Sequence, residues 1–102
     1  MSLRITPMAE PSMFQVEGEL DLATADELAS VLAAEARRGA QVTLELSGLT
    51  FIDSTGLAVL IRTATSSGTT GPLVLLRPSK AVRRVLDLTL PSGAPGLEIR
   101  ES

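Results

Sequence analysis

Leu44 to Thr65 reads LELSGLTFIDSTGLAVLIRTAT, and the change of hydrophobic period inside this stretch decides the fold class. At its start, Val42, Leu44 and Leu46 alternate with Thr43 and Glu45, which predicts a strand over Gln41–Leu46 with one face buried. Further on, Leu57, Leu60, Ile61 and Ala64 recur at the spacing of one helix face, so a helix is expected from about Ser54. Ser47 to Phe51 then reads as a connecting loop, and Asp53-Ser54-Thr55-Gly56 falls where the helix begins. Helix capping alone accounts for these residues, because Asp and Ser oxygens accept hydrogen bonds from first-turn N–H groups that lack an intrahelical partner. A second reading gives them chemistry. The Ser54 hydroxyl lies where a phosphate would meet backbone N–H groups and the positive end of the helix dipole. Gly56 would keep that surface open to a partner, and Thr55 places a second, less favoured hydroxyl in the same turn.

Working outward, Leu3 to Met8 is an extended segment closed by the turn-forming stretch Ala9-Glu10-Pro11-Ser12. Met13 to Leu20 follows with strand periodicity, and the two segments are expected to pair as an antiparallel hairpin. Asp21 ends the second strand at a position that suits a turn residue. Thr24, with Glu27 three residues later, has the pattern of a capping box. The helix it opens carries Leu28, Val31, Leu32 and Ala36 at helical spacing and ends at Gly39. The helix that starts near Ser54 is expected to run out over Ser66–Gly71. Leu73 to Leu76 is a continuous apolar run, as in a strand buried on both faces. Ser79 is a candidate cap for a third helix, in which Val82, Val85 and Leu86 face the core while Arg83 and Arg84 face solvent. Pro91 to Gly96 interrupts regular structure before a last short strand at Leu97–Ile99. The order β-β-α-β-α-β-α-β predicts an α/β fold, a mixed β-sheet with amphipathic helices packed against it, as one domain over residues 1–102.

Composition removes several function classes. Of the 102 residues 44% are hydrophobic, but only Phe14 and Phe51 are aromatic, so the core must be aliphatic. Two aromatics do not make the stacking platforms that single-stranded nucleic acid requires. A net charge of −3 offers no electrostatic footprint for direct nucleic-acid binding. With neither cysteine nor histidine in the chain, disulfides, a thiolate nucleophile, the usual structural zinc site and a Ser-His-Asp triad are all out of reach. The first residues, interrupted by Pro7, Glu10 and Pro11, do not read as a secretory signal, and the longest apolar run, Leu57–Ile61, is far short of a membrane span. A soluble, cytoplasmic protein with no membrane partner is expected.

Taken together, GELDLAT (18–24), a helix, the VTLELSGL strand (42–49) and FIDSTGLAVL (51–60) resemble the STAS domain family, in particular the free-standing anti-sigma-factor antagonists of bacteria. The resemblance runs from about Phe14 to Leu90, and FIDSTGL is its most specific part. It implies that Ser54 matches the family serine phosphorylated by an anti-sigma factor that is also a serine kinase. It further implies that the unphosphorylated form binds that factor and frees a sigma factor for transcription, and that a phosphatase resets the switch. Nucleotide would belong to the kinase, leaving this chain without a cofactor. Asp21 matches the family aspartate near the phosphorylated serine and Asp53 the residue before it, so Asp21, Asp53, Ser54, Thr55 and Gly56 form the expected partner-binding set. Three departures stand out: Glu45 where the family more often has Asp, Ala58 in place of a frequent glycine, and no aromatic near the final strand. The same fold also serves STAS modules in signalling scaffolds or lipid-transport ATPase complexes, which is the alternative function. An enzyme using Asp21, Asp53 and Ser54 is disfavoured, because no Lys, His or Gly-rich phosphate loop accompanies them. Asp21 and Asp53 are expected to be solvent-reachable and to matter more for function than for folding.

Overall fold

Alternation in the first twenty residues produces the hairpin. In a computed structural model describing residues 2–65 and 71–101, β1 (Leu3–Pro7) pairs antiparallel with β2 (Met13–Leu20), Ile5 opposite Val16. The remaining elements are α1 (Ala25–Arg37), β3 (Thr43–Glu45), β4 (Leu49–Ile52), α2 (Ser54–Ala64), β5 (Leu73–Leu76), α3 (Lys80–Thr89) and β6 (Leu97–Arg100). The sheet order is β1-β2-β3-β5-β6, with β4 also paired to β2, and every pairing except β1–β2 is parallel. This is the mixed sheet that the sequence predicts. Residues 66–70, where the second helix is expected to run out, lie outside the described part.

The parallel register lines up Phe14, Leu44, Leu75 and Ile99 across four strands. Leu44 and Leu75 are fully buried, and Leu28 and Leu32 of α1 and Leu57 and Leu60 of α2 join them in one aliphatic core. At roughly 1.5–3 kcal/mol for each fully buried leucine, this cluster supplies most of the drive to fold without aromatic residues. All four residues of β5 are buried, as its unbroken apolar run requires.

Local chemistry sets the element ends. α1 stops at a Schellman motif: Gly39, at φ 67°, donates its N–H to Ala36 O (3.0 Å) while Ala40 donates to Glu35 O (3.2 Å). Ser79 caps α3 by accepting from the Val82 N–H at 3.2 Å. Glu45 is buried, and its carboxylate accepts from Nε of Arg77, the residue after β5 (3.0 Å), and from the Ser47 hydroxyl (3.1 Å). The Glu45 side chain thus ties the end of β3 to the residue that follows β5.

Three expectations need correction. Ser47–Phe51 is not simply a loop, because Leu49–Ile52 forms β4. The strand predicted over 41–46 is confined to Thr43–Glu45. Thr24 occupies the N-cap of α1 but its side chain makes no capping bond, so no capping box forms. Its hydroxyl is taken elsewhere, donating to Glu19 O at 2.7 Å and accepting from the Asp21 N–H at 3.0 Å.

Candidate functional site

β2 and β4 run parallel, with Leu20 beside Ile52, so they end side by side. Each gives way to a helix, β2 through the turn Asp21–Thr24 into α1, and β4 through Asp53 into α2. Two strand-to-helix junctions therefore meet at the carboxyl ends of neighbouring parallel strands, where open α/β sheets place their sites. β2 pairs β3 through Met13–Gln15 and β4 from Gly18 onward, with a register shift between Gly18 and Glu19 inside the β2–β4 pairing. Gly18 takes φ 99° there, and a Cβ would stand 2.3 Å from Ser2 O. A side chain at that position would be strained on both counts.

Asp53 ties the two junctions together. Its backbone is extended, and Oδ1 accepts from the Gly56 N–H at 3.0 Å, which makes Asp53 the N-cap of α2. Oδ2 accepts from the Leu22 N–H across the gap at 3.2 Å, and the Asp53 N–H donates to Leu20 O at 3.1 Å. Asp21 organises the opposite turn. Its Oδ1 accepts from the N–H groups of Ala23 (3.0 Å) and Thr24 (3.2 Å), while its carbonyl accepts from Ala25 N–H at 2.8 Å. Asp21 is 7% exposed. It is thus buried rather than solvent-reachable as expected, with its carboxylate holding the turn. Asp53 is half-buried and bonded on both carboxylate oxygens.

Ser54 is the first residue of α2 and is exposed, whereas Thr55 is half-buried. The Gly56 N–H is held by the Asp53 carboxylate and the Leu57 N–H by Asp53 O (2.9 Å). The N–H groups of Ser54 and Thr55 are the first-turn donors with no protein acceptor among the described residues. Gly56 is buried against β2, where an added Cβ would meet Leu20 Cγ at 2.6 Å and Leu20 O at 2.9 Å. Its role is a close helix–strand approach, not the open surface expected from the sequence. Sequence reasoning passed over Leu22, which is 77% exposed between Asp21 and Ala23. The signal was available, since an apolar residue inside a predicted turn has no core to join.

With this geometry in view, comparison with known proteins is direct. The STAS domain model matches residues 2–90. The chain belongs to the STAS domain family. No curated protein matches the chain. Among solved structures, this STAS domain is similar to a Thermotoga maritima protein provisionally described as an anti-sigma factor antagonist, with 26% identity and a TM-score of 0.72 over 99% of this chain and 86% of that one. It is also similar to the anti-sigma factor antagonist SpoIIAA in its unphosphorylated form, at 17% identity and a TM-score of 0.64 over 99% and 89%, a likeness of fold alone. No helix among the described residues of the STAS domain is long and apolar enough to cross a membrane.

Since one carboxylate caps α2 and grips the neighbouring turn, Asp53→Ala is expected to lower stability by about 1–2 kcal/mol. Asp53→Asn keeps a carbonyl acceptor and should lie between wild type and Asp53→Ala. Urea unfolding of the three proteins checks the order. An Asp53→Ala midpoint equal to that of wild type would contradict the bridging role.

Proposed function

We propose that this STAS domain is an anti-sigma-factor antagonist switched at Ser54. In its unphosphorylated form it binds an anti-sigma factor with serine kinase activity, and a sigma factor is thereby released for transcription. The bound kinase transfers the γ-phosphoryl group of its own ATP to the Ser54 hydroxyl, the complex dissociates, and a phosphatase removes the phosphate. The observation that carries this reading is the exposed Ser54 at the first position of α2, on a junction whose two carboxylates, Asp21 and Asp53, are already engaged in backbone hydrogen bonds. The hydroxyl is accessible to a kinase, while Thr55 is partly covered. Ser54, Asp53 and Thr55 supply the partner face; Asp21 and Gly56 shape it from beneath, one through its turn and the other through contact with Leu20. The 26% identical structural neighbour adds support from outside the site.

A titration with the organism's anti-sigma factor kinase tests the reading. With ADP present, a one-to-one complex is expected, and exchange of ADP for ATP should dissolve it as phosphate is transferred. No complex under either condition would overturn the assignment.

A further inference from the structure

Leu22 has a combination of properties that neither folding nor phosphorylation explains. It is the most exposed of the large hydrophobic side chains in the described residues, at 77%, and makes no contribution to the core. Its backbone, in contrast, is tightly held. The Leu22 N–H bonds to the Asp53 carboxylate, the next two N–H groups bond to Asp21 Oδ1, and the Thr24 hydroxyl secures the turn to Glu19 O. Leu22 is therefore mounted on a turn that is fixed before any partner arrives. A leucine so mounted loses only its own rotamer freedom on binding, because the loop that carries it is already ordered. The carboxylate that holds Leu22 is the same one that caps the helix starting with Ser54. The apolar side chain and the proposed phosphoacceptor thus stand on two turns joined by one residue.

We propose that Leu22 is the apolar anchor of the complex, entering a hydrophobic socket on the anti-sigma factor kinase beside the cleft that receives Ser54. This rests on the reading of the chain as an antagonist and specifies its partner's chemistry: an apolar recess adjoining a phosphoryl-transfer site. Phosphorylation leaves Leu22 itself unaltered, so its contribution belongs to affinity and its neighbour's to switching. Burying a leucine on association is accompanied by a negative heat-capacity change, which gives the proposal a signature beyond affinity.

The test is calorimetric titration of wild type, Leu22→Ala and Leu88→Ala with the purified kinase and ADP, at several temperatures. Leu88 is equally suitable as a control, being 75% exposed on α3. Leu22→Ala is expected to melt with wild type, bind about 10–30-fold more weakly and show a smaller negative heat-capacity change. Leu88→Ala should bind like wild type. Wild-type binding with unchanged Leu22→Ala affinity would overturn the anchor alone. An equal loss in both variants would replace it with general surface stickiness and overturn it too. Failure of wild type to bind would remove the antagonist reading and the anchor with it.

Discussion

Phosphoserine at position 54 is expected to weaken binding to the anti-sigma factor about a hundredfold while leaving the melting temperature within a few degrees of wild type. The modification adds about 1.5 to 2 negative charges at neutral pH. In the free protein those charges sit in water at the start of α2, where the helix dipole and the Ser54 and Thr55 N–H groups favour an anion. Asp53 works against them, since it is adjacent and its carboxylate already takes the Gly56 N–H. Attraction and repulsion therefore largely offset, and the fold is little changed. In the complex the same surface must lose its water, and a buried, unpaired charge costs several kcal/mol. A penalty of about 3 kcal/mol corresponds to the hundredfold loss. Ser54→Asp should act in the same direction with a smaller effect, because it carries a single charge. Ser54→Ala should bind like wild type and stay bound when ATP is added. Calorimetry on these forms would refute the electrostatic switch if all bound equally, or if the phosphorylated form had lost its cooperative melt.

Gly56→Ala should lower the melting temperature by roughly 5–15 °C, against the direction that helix propensity suggests. Within an exposed helix, Gly to Ala stabilises by about 1 kcal/mol. Here the new methyl group would stand 2.6 Å from Leu20 Cγ and 2.9 Å from Leu20 O. Neither neighbour can give way cheaply: Leu20 is fully buried, and its carbonyl belongs to the β2 backbone and accepts the Asp53 N–H. Overpacking of this kind costs about 1–3 kcal/mol, and each kcal/mol moves the midpoint of a domain this size by about 4–8 °C. Relief by moving α2 outward would stretch the Asp53–Leu20 bond and displace Ser54, so phosphoryl transfer should slow as well. A melting temperature equal to or above that of wild type would show that α2 and β2 are not in the close contact described.

Elements with a strong period or a chemical end-marker were legible in the sequence. The β1–β2 hairpin follows from alternation, β5 from its unbroken apolar run, and α3 from the Ser79 cap that the structure forms. β4 escaped because Leu49 and Ile52 are buried while Thr50 and Phe51 between them are exposed, a pattern with neither strand nor helix period. It forms because β2 from Gly18 to Leu20 extends beyond the Met13–Gln15 stretch that β3 pairs and offers an edge there, a long-range event with no local trace. Thr24 has the spacing of a capping box, but a nearer pair of backbone groups, Glu19 O and the Asp21 N–H, captures its hydroxyl. Within the site, Asp53 and Ser54 were readable as a helix start. The burial of Asp21 was not, because it depends on where the Asp21–Thr24 turn sits against the rest of the fold. Gly56 was singled out for the wrong physical reason, since only three-dimensional packing brings Leu20 against it.

The central claim is that Ser54 is the residue on which the switch turns. It is tested most directly by peptide mapping after the purified chain is incubated with ATP and its anti-sigma factor kinase. One added phosphate located on Ser54, and none added to the Ser54→Ala protein, is the predicted result. A phosphate located instead on Ser12, Ser79 or another site remote from the α2 N-terminus would contradict the account.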